Sequence, residues 1–317
     1  MRVIVIGGSG HVGTYMIPFL VETGYEVIEL SRGKSDPYLP NLAWNHVKRI
    51  QVDRISEDKA GTFGKFVRSL NPDIVIDMIC FNVESAKQLV AELKGRVRHF
   101  LSCGTIWVYG HSIEVPATED QEKCPFGEYG ICKLEIEDYL LKEARINNFP
   151  ATVLRAGHMV GPGWVPLNPA ANFNPEVYGI LARGEELKLP NIGMETVHHV
   201  HAQDVARLFL LAIENWSNSV GESFNAVSDK AVTLRGYAEK LASWFDKTAN
   251  ITYLPWEEWK KTASKEDAGM TFEHISHSPN LSIEKAKRLL GYKPRYSSLN
   301  AIYESVAWLI EHEVVKR

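Results

Sequence analysis

Residues 1–33 read MRVIVIGGSGHVGTYMIPFLVETGYEVIELSRG. Val3 to Ile6 form a short unbroken apolar run, the pattern of a parallel strand covered on both faces. Glycines follow at 7, 8, 10 and 13, and Val12, Met16, Ile17, Leu20 and Val21 then recur at helical spacing. Gly24 closes that helix and VIEL opens a second strand. The order strand, glycine turn, helix, strand is a βαβ unit. In such a turn Gly7 lets the chain bend as it leaves the strand, Gly10 lets the backbone approach a pyrophosphate, and Gly13 lets the helix pack on the sheet. The N–H groups and dipole at the helix start then hold the phosphates. Ser9, His11 and Val12 share the turn and join the glycines as candidates for binding a dinucleotide. Pro18, two turns into the helix, removes a backbone hydrogen bond and predicts a kink.

The spacing is G-x-x-G-x-x-G (Gly7, Gly10, Gly13), not G-x-G-x-x-G. It resembles the extended branch of the short-chain dehydrogenase/reductase superfamily, which includes sugar-nucleotide epimerases and dehydratases. An acidic residue at the end of the second strand would bond the adenosine ribose 2′-OH, and an Arg would accommodate a 2′-phosphate. Alignment with the family's strand end puts Ser31 at the acid's place and Arg32 beside it, with Lys34 following. Ser donates to a phosphate and Arg pairs with it bidentately. The resemblance therefore implies NADP, with NAD as second choice because Glu29 stands two residues earlier. It also implies that Asp53, after the strand HVKRIQV, meets the adenine amino group; the same residue is well placed to cap the helix that SEDK opens.

Further along, PDIVIDMIC (72–80) and RVRHFLSCG (96–104) read as buried strands separated by the amphipathic pattern ESAKQLVAELKG. Strands alternating with helices argue for an α/β fold, a Rossmann-type doubly wound parallel sheet. Ligands of such sheets sit beyond the carboxyl ends of the strands. There lies TIWVYG, which resembles the family's segment with a Ser or Thr four residues before the Tyr of V-Y-G; Thr105 takes that place. Tyr129 and Lys133 follow in EYGICKLEIEDYL, four apart on a helical pattern and 24 residues after Thr105. The family carries its Tyr-x-x-x-Lys there. A free Tyr titrates near about 10. A nearby ammonium and the positive nicotinamide ring favour the phenolate, which brings it toward use as an acid or base. Thr105, Tyr129 and Lys133 are the expected catalytic residues, with Lys133 also on the nicotinamide ribose.

Two departures narrow the chemistry. Ile106 and Trp107 stand where the family's dehydratases carry Asp-Glu, and neither transfers a proton. Val197 stands seven residues before Asp204, where nucleotide-sugar enzymes often carry a phosphate-binding Arg. In the cluster His198, His199, His201, only His199 and His201 point the same way in a strand, and no third ligand stands at a telling spacing, so no metal is expected. VLRAGHMVGPGW (153–164) resembles the strand and loop that line the nicotinamide, with Arg155, Gly161 and Pro162, and Asn168, Asn172 and Asn174 are candidates for substrate contacts. NLSIEKAKRLLGYKPRYSSLNAIYESVAWL (280–309) resembles the family's terminal segment, so the resemblance spans nearly the whole chain. The expected division is a dinucleotide-binding domain over 1–160 plus about 196–228, and a smaller C-terminal α+β substrate domain over about 161–195 and 229–317.

The chain has 317 residues, 45% hydrophobic and 23% charged, with a net charge of −4. That balance gives no drive toward nucleic acid or an anionic membrane. No apolar run reaches the roughly 18–20 residues of a membrane span. Cys80, Cys103, Cys124 and Cys132 form no C-x-x-C pair and are read as reduced thiols of a cytoplasmic protein. The resemblance implies a homodimer through helices at 82–94 and 129–147. The expected activity is NAD(P)-dependent hydride transfer at a carbinol or carbonyl carbon of a polar, sugar-like small molecule, a sugar or nucleotide sugar, as an epimerase or a net reductase. The alternative is a non-catalytic binding or regulatory protein on the same fold, such as the plastid stem-loop RNA-binding relatives.

Overall fold

The computed structural model describes residues 1–316. Strands β1 (Arg2–Ile6), β2 (Glu26–Ser31), β3 (Lys48–Gln51), β4 (Ile74–Asp77), β5 (His99–Thr105) and β6 (Ala151–Ala156) join a seventh, Ser223–Ala226, in one sheet. The order is Ser223–Ala226, β6, β5, β4, β1, β2, β3, and every pairing is parallel. The order reverses on either side of β1, so the crevice beyond the carboxyl ends of β1 and β4 is the switch point where ligands of such sheets bind.

Alternation along the strands divides the core. Val3 and Val5 of β1 pack on one face with α1 (Gly13–Glu22) and the helix Ala202–Glu214. Ile4 and Ile6 pack on the other with α3 (Phe63–Ser69), α4 (Val83–Leu93) and α5 (Gly127–Asn147). The short α2 (Arg54–Ala60) follows β3. The helical assignment of α1 continues through Pro18 to Glu22, so the expected kink does not end the helix.

A third cluster gathers Leu167, Tyr178, Leu189, Val197, Tyr237, Trp259 and Leu309 around the parallel pair Glu186–Pro190 and Asn250–Leu254. The segment around Leu281 to Tyr292 packs back on the first cluster. Two more short pairs, His158–Val160 with His199–His201 and Thr196–Val197 with Val232–Thr233, connect the large sheet to this region. All four cysteines are free, and among the described residues no helix is long and apolar enough to cross a membrane.

Candidate active site

The glycine turn forms the floor of the first half of the site. Gly7 has φ +82, which L side chains rarely adopt, and a Cβ at Gly13 would meet the Gly8 carbonyl oxygen at 1.8 Å. A Cβ at Gly10 would meet only the Gly7 carbonyl oxygen, at 3.6 Å; the open space beside it admits a ligand's phosphates. The adjoining cavity, about 320 Å³, is lined by Gly7, Ser9, Gly10, Ser31, Arg32, Lys34, Asp53, Arg54, Ile79 and Phe81. These residues fit a dinucleotide: a backbone cradle with a hydroxyl and two cations at its far end. His11, Val12 and Gly13 lie off this cavity. Val12 joins the first core cluster, and the His11 ring is buried and stacked on Trp164 at 4.7 Å, its titration pushed down to about 4 by burial.

At the cavity's outer end the two readings of Asp53 coexist. Its Oδ1 caps α2 by accepting from the N–H groups of Ile55 (3.0 Å) and Ser56 (3.4 Å), and the residue still lines the cavity. Glu29 does not line it. That carboxylate is 1% exposed, lies 3.7 Å from Arg49 and packs its stem beneath Gly8.

The second half of the site lies at the end of β5. Thr105 leaves the strand and starts a 3₁₀ turn, Ile106–Tyr109, its Oγ1 accepting from the Trp107 N–H at 3.3 Å. The Tyr129 phenol approaches the same hydroxyl closely enough for it to favour the phenolate. Lys133, one turn along α5, is 4% exposed; its Nζ donates to the Cys103 carbonyl at 3.0 Å and lies 4.8 Å over the Phe81 ring, which also lines the cavity. So Thr105, Tyr129 and Lys133 converge, and Phe81 joins them to the dinucleotide cradle. Desolvation, then the Cys103 thiol, pushes the Tyr129 phenol up to about 12 although the residue as a whole is 45% exposed, and the Thr105 hydroxyl pulls the other way. Lys133 spends its ammonium on the Cys103 carbonyl, 5.9 Å from the Tyr129 ring centre, and does not offset the desolvation.

Aromatic rings wall the site beyond Tyr129. Trp107 meets Tyr129 edge-on at 6.0 Å and stacks on His277 at 4.2 Å; His274 lies 5.2 Å from Trp107 and 5.2 Å from His158. Phe173 closes on His274 at 5.7 Å. Trp107 therefore sits half-buried among aromatic rings, with imidazoles beside it. The histidines were missed in sequence, although His274 and His277 at i, i+3 on one helix carry a readable signal.

Several other expectations are corrected. Arg155 does not line the nicotinamide region. It is fully buried and binds both Glu137 oxygens, the Tyr109 hydroxyl and Ser223, because its position in the middle of the sheet points it under α5. Asn168, Asn172 and Asn174 spend their amides on one another, Thr271 and Asp267, which fixes a loop instead of presenting donors to a substrate. His198 is satisfied at both nitrogens, by Ser228 and Leu281; His199 donates to the Leu167 carbonyl, and His201 Nδ1 caps the helix at Gln203. Asp204 holds the N–H groups of Arg295 and Tyr296 at 2.8 and 3.1 Å.

The sequence model of the NAD dependent epimerase/dehydratase family matches residues 3–226. The chain belongs to that family. Among curated members, it is 27% identical to UDP-glucose 4-epimerase of Corynebacterium glutamicum, over 97% of this chain and 95% of that one. It is 26% identical to the chloroplast stem-loop binding protein of 41 kDa b of Arabidopsis thaliana, over 96% of this chain and 78% of that one. Its fold matches the crystal structure of a UDP-glucose 4-epimerase from Thermotoga maritima, with a TM-score of 0.75, 23% identity and coverage of 99% of this chain and 100% of that one. Membership in an epimerase/dehydratase family bears out the expected recognition, the parallel doubly wound fold and an NAD(P)-dependent enzyme of the short-chain dehydrogenase type.

Proposed function

We propose that this enzyme transfers hydride at a carbinol or carbonyl carbon of a polar, sugar-like small molecule, with Tyr129 as the acid/base. The observation that carries this is the meeting of the Thr105 hydroxyl with the Tyr129 phenol at the end of β5, one helical turn from Lys133. A bound nicotinamide supplies or accepts the hydride and, when oxidised, a positive charge. Tyr129 then holds or takes the proton of the reacting oxygen. Thr105 orients that oxygen, and Lys133, fixed on the Cys103 carbonyl, sits where it can also bond the nicotinamide ribose.

NADP is the favoured cofactor. Ser31, Arg32 and Lys34 line the outer cavity, while Glu29 is buried away from it. Relatives include a 2'-dehydrokanamycin reductase and a dTDP-6-deoxy-L-talose 4-dehydrogenase (NAD(P)(+)), which supports sugar-like substrates with or without a nucleotide. The substrate would enter between a dinucleotide domain (1–160 with about 196–228) and the remaining residues, in a cytoplasmic homodimer built on α4 and α5. The non-catalytic alternative is not adopted, because Thr105, Tyr129 and Lys133 are all present and brought together.

The test is Tyr129→Phe. It should bind NADP like the parent chain and lose at least about 100-fold in turnover, the usual worth of a positioned acid/base. Unchanged turnover, or no binding of either dinucleotide by the parent chain, would sink the reading.

A further inference from the structure

The imidazoles beyond Trp107 have assignable protons. His158 Nδ1 accepts from the His198 N–H at 3.2 Å, so the ring proton sits on Nε2, which is covered yet has no partner. His199 donates Nε2–H to Leu167 at 3.0 Å, which leaves Nδ1 as a buried, unpartnered acceptor, 5.6 Å away between ring centres. His277 and His274 donate from Nδ1 to the Glu273 and Met270 carbonyls, both at 2.7 Å, so each has Nε2 as an acceptor. For His277 that nitrogen too is buried without a partner.

Buried polar atoms without partners are rare and costly. Here they flank the rings that lead to Tyr129: Trp107 touches His274 and His277, and His274 touches His158. The register places His158 there too. Ala156 of β6 pairs with Thr105 of β5, and His158 stands two residues further on. The residue is partly exposed while its Nε2 is covered by its neighbours.

The set comprises one donor and three acceptors. A hydroxyl both accepts and donates, so it can satisfy His158 and His199 together. A diphosphate brings only acceptor oxygens and negative charge. It would face three lone pairs, and the titratable groups acting on these rings are other imidazoles, with no guanidinium or ammonium among them. Val197, in the third core cluster, adds no cation.

Resting on the function proposed above, we infer that His158 determines specificity by donating from Nε2 to a hydroxyl of an uncharged polyol or glycoside, and that the substrate carries no nucleoside diphosphate. The site is an imidazole and aromatic box for a neutral sugar.

The test uses the full chain loaded with NADP, so that the dinucleotide site is filled. Saturation-transfer NMR is run with methyl β-glucoside, myo-inositol, UDP and UDP-glucose. His158→Asn keeps an acceptor for the His198 N–H and deletes the Nε2 donor; His158→Gln returns an amide N–H near the Nε2 position. The neutral sugars should bind and UDP should not. His158→Asn should weaken sugar binding about tenfold, the worth of one hydrogen bond, with unchanged circular dichroism, and His158→Gln should recover most of it. Binding of UDP or UDP-glucose, no binding of either neutral sugar, or sugar binding indifferent to His158→Asn (a water alone bridging the imidazoles) overturns the inference. The parent reading fails separately. Hydride transfer to or from UDP-glucose would refute the neutral-substrate box and leave Tyr129 in its role, whereas a chain that binds no dinucleotide refutes the parent reading itself.

Discussion

Glu137 grips Arg155 with both oxygens, at 2.9 Å to Nε and 2.6 Å to Nη2, one turn beyond Lys133 on the helix that carries Tyr129. Both side chains are 1% exposed. Burial alone would push the Glu137 carboxyl up; Arg155 first and Lys123 next hold it below the usual range instead. Removing one partner of a buried pair leaves an uncompensated charge, which typically costs about 3–5 kcal/mol. Glu137→Leu is therefore expected to lower stability by about 3 kcal/mol in denaturant titration. A loss under about 1 kcal/mol would mean that the Tyr109 and Ser223 hydroxyls and the Glu119 carbonyl already satisfy Arg155 without it.

Thr105→Val removes the hydroxyl that meets Tyr129 and accepts from Trp107, while Thr105→Ser keeps it. Turnover should fall about 10- to 100-fold in the Val variant and by less than about threefold in the Ser variant, with NADP binding unchanged in both. Equal rates in all three proteins would remove Thr105 from the mechanism.

Arg32→Ala tests the cofactor reading. The exposed guanidinium lines the outer cavity. A charge-assisted bond to a 2′-phosphate is worth about 1.5–3 kcal/mol, so the Kd for NADP should rise about tenfold or more while that for NAD stays put. Equal weakening of both, read by fluorescence titration, would place Arg32 elsewhere on the dinucleotide.

Acid should unfold this protein early. Burial lowers His99, His199 and His201 to about 3 and His198 and His274 to about 4. In the unfolded chain each titrates near about 6.5. Between those values the unfolded state binds more protons, so stability is fully present above about pH 6.5 and is lost as pH falls toward about 3 to 4. Each such imidazole contributes up to about 1.4 kcal/mol per pH unit in that window. Urea titrations at pH 7, 6 and 5 should show a fall that steepens with acidity; a flat profile would mean the rings are protonated in place.

The glycine turn was legible because its demands fall on the backbone, and a missing Cβ is visible in a sequence. Gly7 and Gly13 are forced by a positive φ and by the Gly8 carbonyl. Tyr129, Lys133 and Thr105 were legible by order along the chain. Arg155 was misread because its partner, Glu137, lies 18 residues away on another element and only packing pairs them. The asparagines of the 168–174 loop looked like free donors because a sequence does not show that three amides satisfy each other. His158, His274 and His199 meet from three separate segments, and no local period announces that.

Gly130, next to Tyr129, has a further effect. A Cβ there would lie 3.1 Å from the Trp107 carbonyl oxygen, so α5 and the Trp107 segment touch through bare backbone. With no side chain between them to absorb a shift, they move as one body. A substitution that reshapes the wall around Trp107 to admit a bulkier substrate will also re-aim the Tyr129 hydroxyl. In this scaffold, selection for a new substrate and selection for rate act on the same displacement, and directed evolution of one should be read out in the other.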